Sequence, residues 1–217
     1  MARSVSVVGG GVIGLSIAWR AARNGWSVRL YDPSIGSGAS WVAGGMLAPL
    51  SEGWPGEESV LELGSASLDR WPEFGKELEA GAGVELFTSE SSLTVALDGA
   101  DAEDLRTIAE WVGAQGGREL QILGRAEVRA LEPMLGRGVR LGLLAVDELA
   151  VDNRLLLQAL QRCAADAGVE LIGGGRAQPR PARHRPDRRH RGHRVTGPVA
   201  RASGSPGEGR DPAVALA

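Results

Sequence analysis

The chain opens with a short β-branched run, Ser-Val-Ser-Val-Val at residues 4–8, that stops at glycine. That is the pattern of a buried strand. From Val12 to Asn24 the period changes: Ile13, Ile17, Ala18 and Ala21 recur at helical spacing, and Gly25 supplies a stop. A second apolar run, Val28 to Tyr31, ends at Asp32-Pro33. Strand, helix and strand in this order predict a β-α-β unit whose strands lie parallel in one sheet.

Beyond it, residues 34–54 are rich in Gly, Ser and Ala and read as loop. A helical segment is expected from Ser59, interrupted or bent near Pro72 and closing around "EAGAG". Leu93, Val95 and Leu97 alternate as in a half-buried strand. Asp101 is placed as the N-cap of a helix carrying Leu105, Ile108, Ala109 and Val112 on one face. "VRLGLLAV" (139–146) reads as another strand. Asp152 or Asn153 caps a helix with Leu156, Ala159, Leu160, Cys163, Ala164 and Ala167 on one stripe. Gly168 ends that helix, and "VELI" (169–172) is a short strand. The order divides the chain into residues 1–50 (β-α-β unit and following loop), 51–150 (a partial α+β insertion), 151–175 (helix and strand returning to the first sheet) and 176–217 (a tail).

The first turn carries the chemistry. Gly9-x-Gly11-x-x-Gly14 lies directly after the first strand and opens the first helix. Three glycines in a turn are common by chance, but here strand, glycines, helix, second strand and terminal acid all stand in register. Gly9 permits the tight turn, Gly11 lets backbone approach a pyrophosphate, and Gly14 lets the helix pack close to the strand. The amides of residues 11–14 sit at the positive helix end, equivalent to about half a charge. Asp32 ends the second strand, where a carboxylate that grips an adenosine ribose is expected. This fingerprint predicts dinucleotide binding without separating FAD from NAD.

The next stretch, "GSGASWVAGGMLAPL" (36–50), makes that separation. A nicotinamide domain would run from Asp32 toward another helix. Here Ala43, Gly44 and Gly45 offer almost bare backbone, a surface suited to a large flat ring hydrogen-bonding to peptide amides. A flexible surface loop is the competing reading, and Met46-Leu47 would be out of place in a solvated linker.

With both stretches in hand, the chain resembles the FAD-dependent D-amino acid oxidase family. Within it, the chain is most similar to the bacterial glycine oxidases of thiamine biosynthesis. "LEPML" (131–135) and "AVDNRLLLQALQRCAADAGVELI" (150–172) fit the same pattern, so the likeness covers about residues 4–172. The resemblance implies an α/β fold with a Rossmann-like FAD-binding layer and a partial α+β substrate-domain insertion. It places Val12 and Ile13 at the pyrophosphate turn with Gly9, Gly11 and Gly14, and Asp32 and Pro33 at the adenosine ribose. Ala39 and Ser40 would touch the phosphate region, and Gly44, Gly45 and Met46 would face the isoalloxazine ring. Asp32 stands where a glutamate is more usual. In relatives an arginine of the C-terminal half clamps the substrate carboxylate, with a tyrosine nearby. This chain has no position matching either, and its one tyrosine, Tyr31, lies in the nucleotide strand.

The activity so implied is oxidative deamination of glycine or a small D-amino acid, through the imine to the oxo acid, with dioxygen reduced to hydrogen peroxide. In thiazole synthesis the imine itself would be used. That chemistry needs no acid-base side chain, so no catalytic residue is nominated. A D-amino acid dehydrogenase, a sarcosine oxidase-like enzyme or a non-catalytic FAD-binding fragment are the alternatives.

Composition divides the chain in two. The formal charge is −3, yet residues 176–217 hold ten Arg, no Lys and three acids, along with all three His and six of eleven Pro. Three readings compete for this tail: a nucleic-acid-binding arm, a metal site at His190-x-x-His193, and a disordered segment without a selected role. The third is preferred, because no aromatic residue and a single Leu occur there and no Cys or carboxylate cluster completes a metal shell. The Arg, Pro and Gly bias matches GC-rich coding sequence read out of frame. The chain is therefore expected to be a frameshifted, truncated family member that binds FAD weakly or not at all and turns over no amine. Cys163 is alone and cannot form an internal disulfide. No secretory signal or spanning segment is seen, so a cytoplasmic protein is expected. Its partners would be a small amino acid and dioxygen, with no nucleic acid, membrane or metal, and a homo-oligomer is compatible with this reading.

Overall fold

The computed structural model describes residues 3–116, 118 and 120–173, with the backbone of 199–202 and 214–215. In chain order, β1 (Ser4–Val8) leads through α1 (Val12–Arg23) to β2 (Ser27–Asp32), then α2 (Ala39–Val42) and β3 (Met46–Leu47). Two helices follow, α3 (Glu58–Leu68) and α4 (Trp71–Ala82), then β4 (Phe87–Ser89) and β5 (Ser92–Ala96). Next come α5 (Gly99–Ala114), β6 (Leu120–Gly124), α6 (Arg125–Leu131), β7 (Leu141–Ala145) and β8 (Leu149–Val151). Finally α7 (Asn153–Asp166) precedes β9 (Glu170–Gly173), β10 (Val199–Ala202) and β11 (Val214–Ala215).

The chain forms two units. One comprises the described parts of Met1–Gly45, Glu73–Leu86 and Asp152–Gly192. The other comprises Met46–Pro72, Phe87–Val151 and the described part of His193–Ala217.

In the first unit β1, β2 and β9 make a parallel sheet in the order β1-β2-β9. Ser4 lies opposite Ser27 and Val8 opposite Tyr31, while Arg29 lies opposite Glu170 and Asp32 opposite Gly173. Strand β9 therefore lies in the same sheet as β1 and β2. Helices α1 and α7 pack on each other. The buried stripe of α1 is Leu15, Ala18 and Trp19, and that of α7 includes Leu156, Leu157, Leu160 and Ala164. A fully buried leucine contributes about 2 kcal/mol, so these stripes hold the helices far more firmly than their propensities do.

Helix α4 completes this unit. Pro72 sits in its first turn, where a missing N–H costs no helical hydrogen bond. Of the interruption or bend expected near Pro72, the structure has the interruption, a break between α3 and α4. Trp19 and Phe74 meet edge to face, their centroids 5.5 Å apart, and the Arg20 guanidinium lies 4.6 Å over the Trp19 ring. Glu77 accepts from Arg20 at 2.6 Å and also from Arg23. Cys163 is buried, its Sγ 3.9 Å from the Leu78 carbonyl oxygen. A methyl group on Gly81 would come within 2.8 Å of that sulfur.

The second unit holds two sheets, ordered β11-β10-β5-β7-β6 and β3-β8-β4. Strand β5 pairs antiparallel with β7, from Ser92 opposite Ala145 to Ala96 opposite Leu141. Alternate residues of these strands feed two cores. Leu141, Leu143 and Ala145 join Leu105, Ile108 and Val112 of α5. Leu93 and Val95 join Leu123, Val128 and Val139. Helices cover both faces, so β5 is buried along its whole length. This corrects the half-buried expectation, and Leu97 lies beyond the strand, half exposed.

Two caps also differ from the sequence reading. Asp98, not Asp101, is the N-cap of α5. Its Oδ1 accepts from the Asp101 amide at 2.9 Å, and the Asp101 carboxylate reaches back to the amides of Leu97 and Asp98. Two aspartates three apart form a reciprocal pair, and the first takes the cap. For α7 the cap is Asp152, whose Oδ1 accepts from Arg154 and Leu155.

Within the stretch expected to lack structure, the described backbone of β10 runs parallel to β5, and β11 runs antiparallel to β10. The physical reason is the open hydrogen-bonding edge that β5 presents on the side away from β7. Otherwise the expectations for 176–217, including the His190 and His193 pair, fall outside the described residues. Among the described residues no helix is long and apolar enough to cross a membrane.

Candidate cofactor site

The site is built at the carboxyl end of β1. Gly9 follows the strand with φ of +103°, a left-handed backbone that an L side chain rarely adopts. Its amide donates to the Tyr31 carbonyl of β2 at 2.9 Å, which tightens the turn against the sheet. A methyl group on Gly14 would lie 1.8 Å from the Gly9 carbonyl oxygen. Only hydrogen fits there, so the first turn of α1 rides directly on the strand end.

Two polar side chains close on this turn. Asp32 Oδ2 accepts from the Gly10 amide at 2.6 Å, and Oδ1 accepts from Ser34 at 2.6 Å. Ser40 Oγ accepts from the Val12 amide at 3.1 Å. A methyl group on Gly11 would come within 3.0 Å of that oxygen. The structure therefore gathers Gly9, Gly11, Val12, Gly14, Asp32 and Ser40, which the sequence nominated from three separate stretches. Ile13 lies exposed at the same turn.

The donor set suits a diphosphate. The amides of the first helical turn have no intrahelical acceptor, and no acid occurs in the first turn of α1 to neutralise its positive end. Ser40 retains a hydroxyl proton after accepting from Val12. Each Asp32 oxygen keeps a further lone pair after its backbone bond, so a ribose hydroxyl finds an acceptor beside the turn.

The remaining nominated residues lie further along the chain. Pro33 is exposed, and Ala39, also exposed, is the first residue of α2. Helix α2 and β3 occupy part of the stretch read as plain loop. Gly44 is exposed with nothing near its Cα substituent position, and Gly45 has φ of +79°. Met46 opens β3 opposite Ala150, in the second unit.

Sequence reasoning missed two polar groups. Asn153 was weighed only as a cap, yet its Nδ2 donates to the carbonyls of Ser40 at 2.8 Å and Trp41 at 2.9 Å. Two consecutive cap-type residues, Asp152-Asn153, were the signal, because a helix needs only one. In the second unit Glu148 is fully buried. It accepts from the amides of Leu50 (2.7 Å) and Ser51 (2.8 Å), from Ser51 Oγ (2.6 Å) and from Ser92 Oγ. Burial pushes its carboxyl above the ordinary range, against the pull of these donors. No signal marked it, since "VDELAVDN" reads as a solvated turn. Among the described residues no group of three or more His, Cys, Asp or Glu side chains gathers in a metal-like cluster.

A parallel sheet with a glycine turn and a strand-end carboxylate defines a dinucleotide-binding type of protein. The FAD dependent oxidoreductase family model (DAO) matches residues 4–204, and the chain belongs to that family. FAD is its cofactor. The chain is 32% identical over 176 residues to a ThiO thiamine biosynthesis oxidoreductase of Rhizobium etli, covering 78% of this chain and 48% of the relative. It is 31% identical to a glycine oxidase of Pseudomonas putida, covering 74% and 43%. The crystal structure of glycine oxidase from Geobacillus kaustophilus superposes with a TM-score of 0.74 at 27% identity, over 80% of this chain and 47% of that one. The chain thus spans about half the length of the relatives it matches.

Proposed function

We propose that the protein oxidises glycine or another small amino acid with FAD and serves the thiazole branch of thiamine synthesis. The names of the relatives, glycine oxidase and thiamine biosynthesis oxidoreductase, support the substrate class and the pathway. The observation that carries the cofactor part is the fit at Gly14, where the Gly9 carbonyl leaves no room for a side chain and forces the helix amides onto the strand end. In this reading the amides of Gly11, Ile13 and Gly14 hold the diphosphate, at a turn that includes Val12, whose own amide is taken by Ser40 Oγ. Asp32, beside Pro33, takes a ribose hydroxyl, and Ala39 and Ser40 flank the phosphates. Gly44, Gly45 and Met46 lie along the flavin ring.

Bound FAD supplies a two-electron acceptor, so the amino acid leaves as an imine that water hydrolyses, and dioxygen carries the electrons away as hydrogen peroxide. The contribution of this chain's own residues is binding and orientation. Because the chain spans half of its relatives, oxidation is proposed for the whole protein and FAD binding for this chain. A cytoplasmic location and a soluble amino acid partner follow from the same reading.

Two measurements test it. Titration with FAD, followed by quenching of flavin fluorescence, should saturate at one equivalent. Peroxide release by the whole protein should be greatest with glycine when compared with sarcosine and D-alanine. A preference for D-alanine would move the protein to another branch of the family.

A further inference from the structure

We infer that Asn153 is the positioning residue of the dinucleotide turn: acting through α2, it sets the Ser40 hydroxyl against the Val12 amide. The functional consequence rests on the FAD reading above and deepens it.

Helix α2 has four residues, far too few to hold its own shape. Its carbonyls at Ser40 and Trp41 stand in a last turn, where helical carbonyls lack partners. The amide of Asn153 has two N–H groups, and both are spent there, at 2.8 and 2.9 Å. The opposite amide orientation would press Oδ1 against two carbonyl oxygens, so the partners themselves determine which atom faces α2. Next to it, the Arg154 guanidinium lies 5.2 Å over the Trp41 ring. Both grips come from the first turn of α7, a helix anchored by its buried leucines. Asp152 already caps that helix, which leaves the Asn153 side chain for this second task.

The outcome is a two-step linkage. Helix α7 holds α2, and α2 presents Ser40 Oγ at 3.1 Å from the Val12 amide. An accepting hydroxyl still has a proton to give, and the oxygens of a diphosphate at the turn are its natural acceptors. Displacing α2 would remove that donor without touching the glycines.

The test compares Asn153→Asp, Asn153→Ala, Ser40→Ala and the Asn153→Asp/Ser40→Ala pair. Asn153→Asp is nearly isosteric but turns two donors into acceptors facing carbonyls. In the ligand-free chain, amide hydrogen exchange at Val12 and residues 41–43 should speed up about tenfold in Asn153→Asp, while the amides of Leu156 to Leu160 stay protected. The Kd values for FAD and for ADP should rise together, about tenfold in Asn153→Asp and less in Asn153→Ala. In the Ser40→Ala background the same change should add little, because the two act as one unit.

Unchanged exchange at Val12 in Asn153→Asp would overturn the inference, as would a full additional loss of affinity in the Ser40→Ala background. General deprotection of α7 would reduce Asn153 to a structural residue and overturn it as well. If the unaltered chain binds neither FAD nor ADP, the cofactor reading fails, and the exchange measurement alone decides whether Asn153 sets Ser40 on the turn.

Discussion

Ser51 gives both its amide and its hydroxyl to the carboxylate of Glu148, 97 residues along the chain, at 2.8 and 2.6 Å. Together with the Leu50 amide, this contact ties the segment after β3 to the turn between β7 and β8 inside the second unit. A fully buried acid with four donors is a costly device that works only while every donor is satisfied.

Its pH dependence follows by linkage. The carboxyl of Glu148 lies above the ordinary range when folded, so the native state keeps its proton to higher pH than the unfolded chain does. Stability from this group is greatest below the ordinary carboxylate pKa and falls as pH climbs toward the raised value, then levels off. Glu148→Gln should flatten that part of the urea-unfolding profile. Glu148→Leu should cost about 3 kcal/mol below the ordinary carboxylate pKa, because two buried amides lose their acceptor, and less as pH climbs. Identical pH profiles for the glutamine variant and the parent would sink this account.

At the turn, Gly14→Ala should destabilise the first unit by about 3 kcal/mol, since its methyl would meet backbone that cannot move aside. Gly44→Ala makes the instructive contrast. Nothing lies within 4 Å of the added methyl, so the melting temperature should not change. If the flavin ring lies along this backbone, FAD affinity should nonetheless fall about tenfold. Unaltered FAD affinity in Gly44→Ala would remove the loop from the flavin site.

Asp32→Asn should weaken FAD binding about tenfold, because an amide offers one acceptor atom where the carboxylate offers two. Calorimetry should show a smaller stability loss, about 1 kcal/mol, from the bonds to the Gly10 and Ser34 amides. A stability loss with unchanged FAD affinity would leave Asp32 a turn-former only.

Glu77→Gln removes the shared partner of Arg20 and Arg23. These side chains are 30% to 47% exposed, so solvent screening limits the effect to about 0.5 kcal/mol. The loss should shrink further in 1 M salt, measured as the midpoint of urea unfolding. A large, salt-independent cost would point instead to the packing of the arginine stems on Trp19.

Much of the first unit was legible because its signals are local. The run at residues 4–8, the three glycines and Asp32 each owe their type to a backbone constraint within a few residues. What could not be read depends on partners far along the chain. Asn153 differs from an ordinary cap only through Ser40 and Trp41, more than a hundred residues away. Glu148 looks like a surface acid until Leu50, Ser51 and Ser92 converge on it. Strand β5 looks half buried until helices arrive on both of its faces. Short-range patterns specified the first β-α-β unit with its glycine turn, and α5, β7, α7 and β9, whereas α2, β3, β4, β6, α6 and β8 and the burial of polar groups emerged only from tertiary packing.

The lone cysteine gives the first unit a built-in clock. Its sulfur is enclosed between α4 and α7, facing Gly81, and burial raises the thiol's pKa. A thiol reagent can reach it only when those two helices separate. The rate of alkylation in native buffer therefore counts helix-parting events one molecule at a time. Comparing that rate with and without added flavin would register ligand-induced tightening at the contact between α4 and α7.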